Sequence, residues 1–184
     1  MTLVKICGIT NLEDALMAVR FKADMIGLNF YPQSPRFVDT ARAKYIAGNV
    51  PNDIRTVGVF VNYAAEEVVE IANEVGLDMI QLHGDETQAY IDRAKSITNL
   101  PILKAIRVQN GGTIAEFVVD GVLLDAFSRG EYGGTGITFD WEVAAEYKER
   151  YPVLFLAGGL SPANVAEAVR RVRPYAVDVA SGVE

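Results

Sequence analysis

The most constraining feature of this sequence is the regular alternation of short apolar runs with longer amphipathic runs along its 184 residues. Short apolar runs are typical of buried strands, whereas the longer runs repeat their apolar residues at helical spacing. Strands that alternate with helices pair in parallel through right-handed crossovers. We therefore predict an α/β fold built from βα units, in one domain that covers residues 1–184.

Eight segments have the length and composition of strands, at residues 4–7, 25–29, 56–60, 79–82, 102–106, 122–125, 153–157 and 176–179. The clearest helical spacing occurs at residues 12–20, 64–75, 87–97, 141–150 and 162–172. Asn11 and Ser161 are predicted N-caps for two of these runs, and Pro162 suits a first helical position. Eight such strands over this length predict a small (βα)8 TIM barrel, with an open doubly wound sheet as the alternative.

Two segments depart from a complete barrel. Between the fifth and sixth strands there is room only for a shortened fifth helix at residues 113–118, because a polar, glycine-containing stretch takes up residues 109–112. After the eighth strand the sequence ends at Glu184, where an eighth outer helix would begin. We therefore expect a barrel with a shortened fifth helix and no C-terminal eighth helix.

Charge and cysteine usage exclude several functional classes. The net charge of −7 disfavours a general binder of nucleic acid or of anionic membranes, although it leaves room for a local anion pocket. A single cysteine cannot form an internal disulfide, and no Cys/His cluster predicts a zinc site. Neither a signal peptide nor a membrane-spanning apolar run is evident, so we expect a cytoplasmic protein.

Two reactive side chains lie at the predicted carboxyl ends of strands. Cys7 ends the first strand and is followed by Gly8, and Asp125 ends the sixth strand. Active sites of barrel enzymes are built at this end, so a thiol and a carboxyl there would serve as base and acid toward one pocket. The alternatives are a small buried cysteine and an aspartate that caps a loop.

Strand parity places Lys5 inside the barrel beneath Cys7, because residues two apart on a strand share a face. A buried lysine needs a partner, and Asp178, on the strand that closes against the first, is the candidate. The Lys5 ammonium would favour the Cys7 thiolate by lowering its pKa. A purely structural ion pair is the alternative interpretation.

Three glycine-containing turns are candidate substrate contacts. Gly158 and Gly159 follow the seventh strand, and Ser181 and Gly182 follow the eighth. The loops after these two strands are the usual phosphate site of such barrels, where exposed backbone N–H groups bind the anion. Gly134 belongs to a GGTG stretch after the sixth strand, which suits a mobile lid.

Two basic or titratable side chains complete the candidate site. Arg36 lies in a proline-rich loop after the second strand and could hold a substrate carboxylate through two hydrogen bonds, or be a surface arginine. His83, the only histidine, follows the fourth strand and either lines the pocket or bonds to the backbone.

A series of motifs along the whole chain resembles the phosphoribosylanthranilate isomerase family of tryptophan biosynthesis. In order, the motifs are VKICGIT at 4–10, FYPQSPR at 30–36, VGVFVN at 57–62, QLHG at 81–84, LLD at 123–125, GGTG at 133–136, FDW at 139–141, AGGL at 157–160 and DVASGVE at 178–184. Several motifs in matching order over nearly the whole chain are far more specific than any one of them.

The resemblance implies an Amadori rearrangement of N-(5′-phosphoribosyl)anthranilate to an aminoketose, without metal or organic cofactor. By analogy, Asp125 is the general acid and Cys7 the general base. The same resemblance implies that Arg36 binds the anthranilate carboxylate and that the turns at 158–159 and 181–182 bind the phosphate. We expect a phosphorylated small-molecule substrate, no nucleic-acid or membrane partner, and a monomer or homodimer.

Several alternatives compete with this interpretation. The related histidine-pathway sugar isomerase, or a dual-specificity enzyme, would carry an aspartate where this chain has Cys7, and a phosphosugar epimerase barrel would need metal-binding histidines. A non-catalytic phosphate-binding barrel would not need Cys7 and Asp125 together. A fragment that folds only with a partner in place of the last helix is the remaining alternative.

Overall fold

The computed structural model describes residues 1–108, 116–126 and 141–184, and these form a closed barrel of eight parallel strands. The strands are β1 (Leu3–Cys7), β2 (Met25–Asn29), β3 (Arg55–Phe60), β4 (Met79–Leu82), β5 (Ile102–Val108), β6 (Gly121–Ala126), β7 (Leu154–Leu156) and β8 (Ala176–Val179). Each strand pairs with the next, and β8 pairs with β1. The predicted (βα)8 barrel is confirmed, and the open sheet is wrong because β8 closes onto β1.

Six α-helices lie within the described ranges: α1 (Leu12–Arg20), α2 (Thr40–Ala47), α3 (Ala65–Val75), α4 (Gln88–Lys95), α5 (Trp141–Arg150) and α6 (Val165–Val172). The sequence did not mark α2 among its clearest helical runs, because only Ala43 and Ile46 of that helix are buried. None of these helices combines the length and apolarity that a membrane crossing requires.

The connections after β5 and β8 contain no α-helix within the described residues. Residues 116–118 have no regular secondary structure, and residues 109–115 lie outside the described ranges. β8 is followed by one 3-10 turn, Ser181–Val183, rather than by an α-helix within the described residues.

The two predicted N-caps have different outcomes. The Asn11 side chain accepts a hydrogen bond of 2.8 Å from the Asp14 backbone N–H, which confirms it as the cap of α1. Ser161 is not the cap of α6, because a turn at residues 162–164 delays that helix to Val165. The Asn164 side chain instead accepts from the Ser161 N–H at 2.8 Å, and it holds the turn after β7 in place.

Strand parity divides the core into an inner layer and an outer layer. Apolar side chains that fill the barrel interior include Met25, Val57, Leu103, Leu123 and Phe155. The intervening strand residues face the helices. Buried polar side chains, among them Lys5, Gln81 and Asp178, lie at interior-facing positions nearer the carboxyl ends of the strands. That end of the barrel is therefore the place for chemistry.

Candidate active site

The carboxyl ends of the strands surround an open cavity of about 840 Å³, a size typical of small-molecule sites. The predicted residues that line it are Cys7, Arg36, His83, Asp125, Gly158, Gly159, Asp178, Ser181 and Gly182. Lys5 is fully buried below Cys7. Gly134 lies outside the described residues. The structure thus brings the thiol, the carboxyl, the arginine and both glycine turns to one cavity.

Gly27 on β2 provides the space for Cys7, and sequence reasoning missed it. The two residues are register partners in neighbouring strands. A Cβ atom on Gly27 would lie 2.7 Å from Cys7 Sγ, 3.1 Å from Cys7 Cα and 3.2 Å from Lys5 Nζ. A glycine inside a predicted strand was the only signal that could have found it, because such glycines often mark a close approach.

We expect Gly27→Ala to destabilise the protein by about 1–3 kcal/mol, because the added methyl overpacks a site bounded partly by backbone. The catalytic activity of the variant should fall as well, since the added methyl group displaces the Cys7 thiol. Urea unfolding and steady-state kinetics measure the two effects. Gly48→Ala is the matched control, because Gly48 has φ of −74° and its added Cβ would meet only Lys44 O, at 3.2 Å. Equal stability of the two variants would contradict the close approach of Gly27 on β2 to Cys7 on β1.

The ion pair expected from strand parity is present inside the barrel. Lys5 Nζ donates a 2.8 Å hydrogen bond to Asp178 Oδ1, and the two residues are register partners in β1 and β8. Burial acts to lower the pKa of Lys5, but Asp178 and Cys7 together outweigh it and raise that pKa above its usual value. Lys5 therefore remains an ammonium ion beneath the thiol.

Lys5 acts to lower the pKa of Cys7 as expected, but burial outweighs it and the net shift of that pKa is upward. Burial raises the pKa of the Cys7 thiol, and the carboxylates Asp178 and Asp125 act in the same direction. Lys5 opposes them without reversing the shift. The physical reason is that a thiolate at the bottom of the cavity loses hydration, and its one ammonium neighbour is already paired with Asp178.

Asp125 and His83 meet across the cavity floor. His83 Nε2 lies 3.3 Å from Asp125 Oδ2, and both side chains are more than nine-tenths buried. The Gln81 amide lies 2.8 Å from the other ring nitrogen, His83 Nδ1. The His83 backbone N–H also donates to Phe60 O at 2.8 Å. His83 thus lines the cavity, and its two ring nitrogens face the side chains of Gln81 and Asp125.

Arg36 reaches the cavity from the loop after β2, and two residues that the sequence did not single out hold it there. Glu184 accepts hydrogen bonds from Arg36 Nε at 2.5 Å and from Nη2 at 2.9 Å. Gly8 has φ of +87°, and a Cβ atom at that position would overlap Arg36 Cδ. The turn after Cys7 therefore leaves room for the arginine stem.

The two glycine turns form one continuous wall of the cavity. Gly158 and Gly159 both adopt positive φ, at +81° and +63°, a conformation that glycine reaches without strain. A Cβ atom on Gly182 would overlap Leu160 O, so the turn after β8 packs directly on the turn after β7. The turns after β7 and β8 therefore lie side by side on the cavity wall.

Comparison with known proteins identifies the family. The family model described as N-(5'phosphoribosyl)anthranilate (PRA) isomerase matches residues 4–184. The chain is 48% identical over 184 residues to the N-(5'-phosphoribosyl)anthranilate isomerase of Trichlorobacter lovleyi, covering 98% of this chain and 88% of that protein. The chain belongs to the N-(5'-phosphoribosyl)anthranilate isomerase family. The resemblance inferred from its motifs is confirmed.

Solved structures of phosphoribosyl anthranilate isomerases share the fold. The crystal structure from Thermotoga maritima matches with a TM-score of 0.89 and 40% identity, covering 100% of this chain and 90% of that chain. A phosphoribosyl anthranilate isomerase in complex with reduced 1-(o-carboxyphenylamino)-1-deoxyribulose 5-phosphate matches with a TM-score of 0.85 and 39% identity, covering 100% and 89%. This family member is accordingly an isomerase with a TIM-barrel fold.

Proposed function

We propose that this chain converts N-(5′-phosphoribosyl)anthranilate into 1-(2-carboxyphenylamino)-1-deoxyribulose 5-phosphate, an Amadori rearrangement of tryptophan biosynthesis. Family membership supports the reaction. The observation that carries the residue roles is that Cys7 and Asp125 face one cavity, with Arg36 and two glycine turns also on its wall. The rearrangement moves hydrogen within one molecule, so acid–base groups suffice and no redox partner enters the balance.

Asp125 is the proposed general acid. It donates a proton to the furanose ring oxygen, the bond from that oxygen to C1′ breaks, and the ring opens to a Schiff base. The position of Asp125 at the carboxyl end of β6, buried and next to His83 Nε2, supports this role. A carboxyl that faces a cavity from a strand end is held rigidly, as proton transfer to one particular oxygen requires.

Cys7 is the proposed general base. It removes the C2′ proton to give an enolamine, which tautomerises to the ketone as C1′ gains a proton. Because burial raises the pKa of Cys7, the thiolate needs the nearby Lys5 ammonium to offset its lost hydration. The Lys5 ammonium and the Asp125 carboxyl act on the pKa of the Cys7 thiol in opposite directions.

The remaining wall residues hold the two anionic groups of the substrate. Arg36 is proposed to bind the anthranilate carboxylate, since a guanidinium matches a carboxylate through paired hydrogen bonds. The turns that contain Gly158–Gly159 and Ser181–Gly182 are proposed to bind the phosphate through backbone N–H groups. The arginine and the turns come from different loops of the same wall, and the proposed substrate carries an anion at each end.

Turnover by the purified chain tests this proposal. N-(5′-phosphoribosyl)anthranilate is generated in place, and the loss of its anthranilate-type fluorescence is followed. We expect turnover of this substrate and none of the corresponding aminoaldose of the histidine pathway, because Cys7 stands where that enzyme carries an aspartate. A folded chain that converts neither substrate, or only the second, would contradict the proposal.

A further inference from the structure

We propose that Glu184 is a positioning residue, which fixes the Arg36 guanidinium so that its free edge faces the cavity and meets the substrate carboxylate. This inference rests on the proposed role of Arg36 and adds a residue to the site. Glu184 lies 148 residues from Arg36 along the chain, after the turn that follows β8. The contact thus links Arg36, which is proposed to bind the substrate carboxylate, to the loop after β8, which carries one of the two turns proposed to bind the phosphate.

The geometry of the contact leaves the useful edge of the guanidinium free. Glu184 takes one edge, formed by Nε and Nη2 of Arg36. A guanidinium has five N–H donors, so both Nη1 donors and the second Nη2 donor remain for another carboxylate. Arg36 is among the residues that line the cavity, and Glu184 is not. Glu184 therefore holds the arginine from the side away from the space that the substrate would fill.

The stem and the loop of Arg36 are restrained as well. Because Gly8 has no side chain, Arg36 Cδ can pack directly against the turn that follows Cys7. The Arg36 backbone N–H donates to Ser34 Oγ at 3.2 Å, and Asn29 donates to the same hydroxyl at 3.1 Å. An arginine held at its backbone, its stem and one edge loses less side-chain entropy when it binds a ligand. Glu184 is the one of these restraints that acts on the charged group itself.

Orientation of Arg36 by Glu184 and competition of Glu184 with the substrate carboxylate have opposite effects on substrate binding. The Arg36 hydrogen bonds lower the pKa of Glu184, so its side chain is an anion at neutral pH. An anion beside Arg36 weakens the attraction of Arg36 for a second carboxylate. If orientation dominates, removing the Glu184 charge weakens substrate binding. If competition dominates, the same change strengthens it.

The test is a double-mutant cycle on Glu184 and Arg36, read as KM and kcat. We expect Glu184→Gln to raise KM about five- to tenfold with kcat within about twofold, because the contact serves binding of the substrate carboxylate in ground state and transition state alike. Arg36→Met should raise KM further. Adding Glu184→Gln to Arg36→Met should then change KM by less than about twofold, because the residue it positions is gone.

The matched control is Glu66→Gln, which makes the same change in an exposed pair in which Arg93 Nε donates to Glu66 at 2.8 Å. It should leave both KM and kcat unchanged. A loss of folded enzyme lowers the apparent kcat and leaves KM unchanged, so a rise in KM at nearly constant kcat separates positioning from a loss of stability.

Each other outcome overturns the inference in a distinguishable way. If Arg36→Met raises KM and Glu184→Gln leaves it unchanged, Arg36 keeps its proposed role and Glu184 loses its own. If Glu184→Gln lowers KM, Glu184 competes with the substrate. If Arg36→Met leaves KM unchanged while turnover persists, the carboxylate role of Arg36 fails, and the positioning role fails with it.

Discussion

Replacing Asp125 with Asn is expected to lower kcat by about 10²–10⁴-fold while leaving KM within about threefold. The amide keeps the shape of the carboxyl, but it cannot deliver a proton to the ring oxygen of the substrate. Binding should persist because the anionic ends of the substrate meet other residues of the cavity wall. Steady-state kinetics with N-(5′-phosphoribosyl)anthranilate measure both constants.

Cys7→Ser should lower kcat by a similar factor, about 10²–10⁴-fold, because a hydroxyl ionises far less readily than a thiol. The side chain remains small enough to fit against Gly27, so folding should be preserved.

The control for Asp125→Asn is Asp53→Asn, which makes the same chemical change at an exposed turn just before β3, at the opposite end of the barrel. An active Cys7→Ser variant would remove Cys7 from the base role, and an active Asp125→Asn variant would remove Asp125 from the acid role.

Replacing Lys104 with Met is expected to destabilise the protein by about 3–5 kcal/mol, because it leaves the Glu86 carboxylate buried without its cation. Lys104 is 3% exposed and Glu86 is 6% exposed. Lys104 Nζ donates to Glu86 Oε2 and to Gly84 O, each at 2.8 Å. Glu86 in turn accepts hydrogen bonds from the backbone N–H groups of Gly84 and Asn62. The pair therefore supports the backbone directly after β4, where His83 lies.

The Lys104–Glu86 pair should contribute less to the free energy of unfolding than is lost when only one of the two residues is replaced. Burial lowers the pKa of Lys104, and Glu86 only partly opposes that shift. A buried ion pair often does not fully recover the free energy that it costs to take both charges out of water. The double variant Lys104→Met with Glu86→Gln should consequently recover part of the lost stability, because no isolated charge remains buried and the amide oxygen still accepts from the backbone.

Urea unfolding of the variants measures these differences. The matched control is Lys95→Met, since Lys95 pairs with Asp120 at 3.0 Å on a solvent-exposed surface. Such pairs contribute about 0–1 kcal/mol, so this variant should remain close to the parent. If Lys104→Met and Lys95→Met lose similar stability, the buried pair is not the support of the β4 loop that its contacts indicate.

Much of the fold followed from local sequence patterns. The strands predicted at 25–29, 79–82 and 176–179 coincide with β2, β4 and β8, because a continuous apolar run between turn residues suits a strand buried on both faces. The misses have physical causes too. α2 buries little apolar surface, and the Asn164 side chain is bonded back to the turn before α6, which moves the start of that helix away from Ser161.

The candidate site was predictable to the extent that it depends on strand ends and parity. Cys7 and Asp125 end strands, and Lys5 and Asp178 follow from the alternation of faces and from β8 closing onto β1. Gly27 was missed because its role depends on how closely β1 and β2 approach each other. No local pattern encodes that distance.

The sequence by itself determined where the strands lie along the chain, which of their residues share a face, and the family, because periodicity and motif order are properties of the chain. Only the tertiary structure decided the contacts between remote segments. Arg36 meets Glu184, and Lys104 meets Glu86, because loops from different strands converge at one end of the barrel. The tertiary structure also decided the direction of the Cys7 pKa shift, because that shift depends on how much water the assembled barrel excludes from the thiol.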